Sequence, residues 1–368
     1  MYQKYKNGEI SAIQSYIIII SIMIGSGILG LSRSVAEVSK QDGWISVFIN
    51  GLFISAIMAA IIYTPSRFPK YNFLEYTRFL LGAPLSYIVS FGYAIYSLLV
   101  TATVIRYLSE MTRTWLLSNT PLYIINLLIL LTTVYMIKNG LTTLARFNEV
   151  VAFMLIPFAL LIFVGLPEAS LTNLRPIGGT GIVTILRGIV PSFFSFAGYE
   201  VLLIIYPYIS NKQEPIMKYS IISVIMVTLF YTATVASQIA LYGPQELVHV
   251  LYPSINYLTA VDFPVIERME IFFTIFWALT VLGTISIQYL AGSIVLQSIF
   301  SKKKTSFFTY TLFPIIYLIT LYPRNTVEVI AFGEKAGSAN IFFGFLLPII
   351  LFILYFIKGR GSSNEKNT

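Results

Sequence analysis

The chain has 368 residues, 57% of them apolar and 11% charged, where a soluble domain carries roughly 25% charge. With a mean hydropathy of +0.79, that composition excludes an ordinary soluble enzyme and points to a polytopic membrane protein. One histidine, His249, and no cysteine leave no material for disulfide frameworks, thiolate zinc sites or histidine-dependent triads. The net charge of +8 punctuates apolar runs and is not gathered on one soluble face, as nucleic-acid binding requires.

Cutting the chain where charge, proline and glycine interrupt hydropathy predicts ten transmembrane helices. The first, 13–34, follows Lys4 and Lys6 and superficially resembles a signal peptide. It runs too long for one and more spans follow, so it reads as an uncleaved first helix. Within it, Gly25, Gly27 and Gly30 disfavour a continuous helix by roughly 1 kcal/mol each. An opening at Gly25, Ser26 and Gly27 frees backbone amides at the positive end of a half-helix, which suits a carboxylate. A small-residue packing face is the competing reading.

The second span covers 44–63. In the loop 67–82, Asn72 with Glu75 three residues on reads as a capped start of a short helix. The third span, 85–108, carries Tyr93, Tyr96 and Val100 at i, i+3 and i+7 on one face, either a pocket wall or plain packing. Spans 122–137 and 147–166 complete the first half.

A polar stretch, 167–181, then separates five spans from five, and an odd number per half forces the second half to enter from the opposite side. This is an inverted repeat, with residues 1–166 as the first unit, 167–186 as an outer connection, 187–357 as the second unit and 358–368 as a tail. Span six, 187–206, holds Phe194, Ser195, Phe196, Ala197 and Gly198, followed by Glu200. An ionised acid at mid-span costs roughly 2.5 to 3.5 kcal/mol even on a lenient scale. Glu200 is therefore either protonated or in polar company: an amine partner or proton-sensitive switch on one reading, a neutral bridge between helices on the other. Weak spots in the first helix of each half point to a binding site between them.

After 219–242, the span 270–300 puts Thr284, Gln288 and Ala291 on one face with Tyr289 beside them, again a pocket wall or packing. Spans 307–322 and 341–357 end the series. With the N-terminus inside, 15 of the 24 Lys and Arg residues fall in cytoplasmic segments, the Lys302, Lys303, Lys304 run among them. That bias predicts both termini in the cytoplasm. No phosphate-binding loop or zinc motif occurs, so neither cofactor nor metal is expected.

At Ile24-Gly25-Ser26-Gly27-Ile28 and Phe193-Phe194-Ser195-Phe196-Ala197-Gly198-Tyr199-Glu200 the chain resembles the amino acid/polyamine/organocation permease superfamily. That resemblance implies an all-α, LeuT-like fold with a five-plus-five inverted repeat and broken helices one and six. Gly140-Leu141-Thr142-Thr143-Leu144-Ala145-Arg146-Phe147 and Ile266-Glu267-Arg268-Met269-Glu270-Ile271-Phe272-Phe273, with Trp277 beyond, resemble the B subunit of endospore germinant receptors. This second resemblance covers nearly the whole chain. It implies a multi-pass protein of the spore inner membrane that senses a small nutrient germinant, an amino acid first among the candidates, together with an A subunit and a lipoprotein C subunit. By motif position, Gly25, Ser26 and Gly27 would take the germinant carboxylate. Phe194, Phe196 and Gly198 would flank the opposite break, with Glu200 at the acidic position. Tyr93, Tyr96, Val100, Thr284, Gln288 and Tyr289 follow by helix position alone. The expected function is a non-enzymatic sensor that signals by a conformational shift, the alternative a proton-coupled amino acid permease. A third reading is a structural or channel-forming subunit.

Overall fold

The computed structural model describes residues 9–161, 165–210, 214–259, 268–301 and 303–362. Lys4, Lys6, Lys302, Ile266, Glu267 and the end of the tail, 363–368, lie outside the described residues. Among those described, the chain is helical apart from one isolated parallel bridge between Ile10 and Ile209.

The first span is two half-helices, α1 (Ala12–Met23) and α2 (Leu31–Ser39), joined through a 3₁₀ turn, Ser26–Leu29. It is followed by α3 (Gly43–Ser66), the short α4 (Phe73–Leu81), α5 (Ala83–Trp115), α6 (Leu122–Lys138) and α7 (Leu141–Leu160). The second half opens with α8 (Ile182–Arg187), α9 (Ile189–Phe196) and α10 (Leu202–Ile205), the pieces of a broken sixth span bent by 58°. It continues with α11 (Ile216–Leu247), the short α12 (Pro253–Thr259), α13 (Met269–Ile299), α14 (Thr305–Thr320), α15 (Thr326–Asn340) and α16 (Leu347–Ser362). Among the described residues, six helical stretches and two bent pairs are long and apolar enough to cross a membrane, and α14 is a shorter apolar helix of 16 residues. One bent pair, α6 with α7, turns through 118° and so supplies two rods.

The local chemistry of these elements is legible. Asn72 caps α4 reciprocally with Glu75: the Glu75 amide donates to Asn72 Oδ1 at 3.1 Å, and the Asn72 amide to Glu75 Oε2 at 2.8 Å. α6 turns into α7 at Gly140, whose φ of 82° lies where a side chain is disfavoured. Three boundaries differ from the sequence-based expectation. Span six begins at Ile182, immediately after Gly181. The tenth span starts at Thr326, not 341, because α15 carries Glu328, Glu334 and Lys335, charges that interrupt hydropathy without interrupting the helix. The stretch that follows the span expected at 219–242 contains α12, whose seven residues are too short for periodicity to reveal.

In the interior, α13 packs most extensively on α5, and α11 on α3, with α1 threaded between α7, α11 and α13. Two polar clasps fix the ends. Asp42, fully buried, accepts from the amides of Gly178 and Thr180 at 2.8 and 2.9 Å and from the Thr180 hydroxyl at 2.7 Å, pinning the segment between the halves onto the α2–α3 turn. At the opposite end the Ile10 amide donates to Tyr208 O at 3.0 Å and the Ser210 amide to Ile10 O at 2.9 Å. The chain entering span one is thereby tied to the chain leaving span six.

Candidate functional site

A broken helix leaves carbonyls without intrahelical donors, and buried carbonyls need partners. In span one they are supplied by side chains from four other elements. Tyr231 donates to Met23 O at 2.5 Å, Trp277 to Gly25 O at 3.1 Å, Ser195 to Gly27 O at 3.0 Å and Ser254 to Ile28 O at 2.7 Å. Thr284 lies within 3.3 Å of Ser21 O and 3.4 Å of Ile22 O. The break is thus a built feature, its freed carbonyls each met by a side chain of a neighbouring element. The amides of Gly25, Ser26 and Gly27 precede the first bond of the 3₁₀ turn and have no acceptor within it.

The second break meets the first directly. Gly198 adopts φ 118°, and a Cβ there would lie 1.9 Å from Ile22 Cγ2. A Cβ on Gly27 would lie 2.3 Å from Ser195 Cα. Gly27 is set by the backbone approach between spans one and six, and Gly198 by its left-handed φ and the Ile22 side chain packed against it. The Tyr231 hydroxyl also lies 3.1 Å from Ser195 O, so its one proton is shared between the two broken chains.

Between the breaks lies a small void of about 20 Å³, bordered by Gly25, Ser26, Gly27, Val100, Phe194, Gly198, Thr284 and Gln288. That is room for about one water molecule. Next to it opens a vestibule of about 350 Å³ that shares Ser26, Gly27, Phe194 and Ser195 with the void and adds Arg33, Glu37, Tyr107, Tyr252 and Glu334. Phe194 therefore stands between the two spaces, its ring 6.2 Å from that of Tyr107. In the vestibule Arg33 pairs with Glu37 at 3.2 Å. Burial, reinforced by the Glu110 charge, holds the Tyr252 hydroxyl above the ordinary tyrosine range, so it remains a neutral hydrogen-bonding group at physiological pH.

Eight sequence-predicted residues thus converge on the void, and five do not border it. Glu200 sits one layer behind: its Oε2 accepts from the Gly198 amide at 2.7 Å, and its Oε1 from the Tyr96 hydroxyl at 2.8 Å and Gln288 Nε2 at 3.2 Å. It is the polar company, not the solitude, that permits an acid at this depth. Tyr96 belongs to that layer, and Tyr93 stacks edge-on to it with ring centroids 5.8 Å apart. Phe196 faces the other way, against Tyr231 at 5.1 Å. Tyr289 points to α14, where its hydroxyl donates to Thr309 O. His249 is exposed.

Several residues of the site carried a sequence signal that went unused. Tyr107 continues the Tyr93, Tyr96, Val100 face one heptad on, and Trp277 precedes Thr284 by the same interval. Tyr231 and Ser254 had no such mark, because a single polar group, in the long apolar α11 or in the seven-residue α12, announces nothing about its partners.

The chain matches the family described as "Spore germination protein" over residues 9–329. It is 30% identical over 363 residues to spore germination protein YndE of Bacillus subtilis (strain 168), covering 96% of this chain and 98% of that one. It is 26% identical over 367 residues to spore germination protein GerLB of Bacillus cereus, covering 98% of each. Among solved structures it superposes on MhsT in complex with L-phenylalanine with a TM-score of 0.63 at 14% identity, covering 95% of this chain and 99% of that one. The LeuT-like permease fold with broken helices one and six is accordingly the fold of this protein, and the chain belongs to the spore germination protein family.

Proposed function

We propose that this chain is the permease-like B subunit of a spore germinant receptor. A small nutrient germinant, foremost an amino acid, enters through the vestibule and settles between the two helix breaks. Its carboxylate is taken by the amides of Gly25, Ser26 and Gly27. Its ammonium faces the carbonyls released at the span-six break, and Phe194 closes over it. Val100, Thr284 and Gln288 complete the wall, while Glu200, Tyr96 and Tyr93 support it from behind. The bound ligand favours one of two arrangements of the helices, by no more than its differential affinity for them, and an A subunit and a lipoprotein C subunit read that arrangement in the spore inner membrane. The units 1–166 and 187–357 act as the two inverted repeats, joined by 167–186, with both termini and the tail 358–368 in the cytoplasm.

One observation carries this reading. Two helix breaks face each other across a void whose neighbour is a vestibule of about 350 Å³, within the roughly 300 to 1,000 Å³ of small-molecule pockets. That MhsT was solved with L-phenylalanine bound supports an amino acid as the first ligand to try. The proton-coupled permease remains a second reading because of the buried carboxylate of Glu200.

The test is a labelled-ligand assay on purified protein in proteoliposomes under an imposed proton gradient, starting with L-alanine and other neutral amino acids, with bound and internalised counts separated. Saturable binding without accumulation is the expected result for a sensor. Accumulation that an ionophore abolishes would instead make the chain a permease.

A further inference from the structure

A second cavity, of about 250 Å³, lies between the α6–α7 turn, the end of span six, α13 and the start of α14, and it shares no lining residue with the vestibule or the void. Its floor is apolar: Ile137 and Leu141 from the two sides of the turn, Leu290 and Ile294 from one face of α13, all buried. Its rim is polar and carries one sign of charge. Lys138 borders it together with the hydroxyl-bearing Tyr208, Ser306 and Tyr310, and no acidic side chain among the described residues does. Lys138 forms no ion pair among those residues. At the same rim α14 begins with Thr305 and Ser306, behind Lys304 at the N-cap. An ammonium has donors only, so Lys304 cannot accept from the first helical amides as a Ser or Asp cap would. The positive end of α14 is thus left without a side-chain cap beside an unpaired lysine, and exposed Lys303 and Lys304 add to the field. Tyr310, 52% exposed, belongs both to the cavity wall and to the outer face of the bundle, and Tyr135, one turn before Lys138, is 70% exposed. Exposed tyrosines at the ends of spans mark the headgroup level of a bilayer.

We propose that this cavity binds the headgroup of an anionic phospholipid. The phosphate meets Lys138 and the first amides of α14, the hydroxyls of Tyr208, Ser306 and Tyr310 serve its remaining oxygens, and the first carbons of the acyl chains lie on the apolar floor. The volume, just below the roughly 300 Å³ at which pockets for whole small molecules begin, suits a headgroup whose chains continue along the face of the bundle. An inorganic anion would use the rim and leave the floor empty. A zwitterionic lipid would bring its own cation to a rim that is already positive, so an anionic amphiphile fits both surfaces best. The position gives the bound lipid a consequence. Tyr208 O accepts from the Ile10 amide at 3.0 Å, and Thr142, next to Leu141, donates its hydroxyl to Glu9 O at 3.2 Å. The cavity therefore adjoins both elements that hold the chain entering span one, and a headgroup between them braces the end closed by the bridge of Ile10 to Ile209.

This inference stands apart from the receptor reading and is tested without any germinant. The full chain, purified in detergent, is unfolded thermally while mixed micelles carry rising fractions of phosphatidylglycerol or phosphatidylcholine, or while inorganic phosphate is added without lipid. The expected result is a saturable rise in the midpoint with phosphatidylglycerol, with a severalfold weaker half-saturation for phosphatidylcholine and no rise with phosphate. Lys138→Gln should weaken the phosphatidylglycerol half-saturation severalfold, and Ser306→Asp, which sets a carboxylate at the start of α14, should abolish the rise. Both positions are exposed, so both variants should fold. Arg78→Gln, the same loss of charge on α4 outside the cavity, should leave the response unchanged. The proposal is overturned by equal responses to the two lipids, by a rise that inorganic phosphate alone reproduces, or by a Lys138→Gln response no weaker than that of Arg78→Gln.

Discussion

The two glycines of the span-one break differ in what surrounds them, and the difference separates folding from binding. At Gly27 a Cβ would meet the Cα of Ser195 at 2.3 Å, a backbone atom that moves only if span six moves. Gly27→Ala is therefore expected to lower the unfolding midpoint by an overpacking penalty of about 1–3 kcal/mol or more, and to lose ligand binding with it. At Gly25 the nearest atoms would be Ile22 O at 3.1 Å and Thr284 Oγ1 at 3.3 Å, contacts that need a shift of only a few tenths of an ångström. Gly25→Ala should lower the midpoint less than Gly27→Ala while weakening the ligand, because the methyl group takes space beside the void. Parallel thermal unfolding and ligand titration of the two variants check this, and equal effects on both quantities would remove the distinction.

Among elements, the start of the tenth span is held by an ion pair at a place where hydropathy alone ends the third helix. Arg106 and Glu110 lie on α5, with side chains 2% and 14% exposed, and pair at 2.6 Å. Arg106 Nε donates to Pro323 O at 3.3 Å and the Thr326 hydroxyl donates to Glu110 Oε1 at 2.9 Å, so the pair clamps the start of α15 to α5. Removing one partner of such a pair strands the other charge. Arg106→Ala should cost roughly 3–5 kcal/mol, and the joint replacement Arg106→Met with Glu110→Leu should recover most of the loss. A double-mutant cycle on unfolding midpoints measures the recovery, and a joint variant no better than the single one would contradict the clamp. The same pair explains what could and could not be read from sequence. The breaks in spans one and six were legible because small residues recur at the same place in the first helix of each half, although a packing face would leave the same mark. α5 beyond 108 was not, because a charge that is buried and paired looks, in one dimension, like a charge in water; α15 before 341 was not, because its exposed Glu328, Glu334 and Lys335 break the apolar run without breaking the helix. Glu200 was legible as an anomaly but not as a layer, since its partners come from α5 and α13.

At the scale of the whole molecule, the vestibule is open at one end of the bundle while the bridge between Ile10 and Ile209 closes the other. The proposed topology puts the closed end in the cytoplasm, and the cysteine-free sequence makes that proposal testable. In intact cells an impermeant thiol reagent should label Ile177→Cys and spare Ser301→Cys, and the reverse pattern would invert the topology. If ligand response is a rocking between outward and inward arrangements, the inner bridge must yield when the vestibule closes. Ser210→Pro deletes both the amide and the hydroxyl that donate to Ile10 O, at 2.9 and 3.1 Å, and Ile209, extended at φ −79° and ψ 119°, already suits a residue preceding proline. The loss of these bonds, each worth about 0.5–1.5 kcal/mol, should shift the balance toward the inward arrangement by about fivefold or more. Two cysteine reporters distinguish that shift from local fraying: Ser15→Cys, buried in α1, and Ser338→Cys, which lines the vestibule. In the proline variant, maleimide labelling should accelerate at position 15 and slow at position 338. Acceleration at 15 with no change at 338 would mean that the inner end opens alone, and the two ends of the bundle would then not be coupled in the way a conformational signal requires.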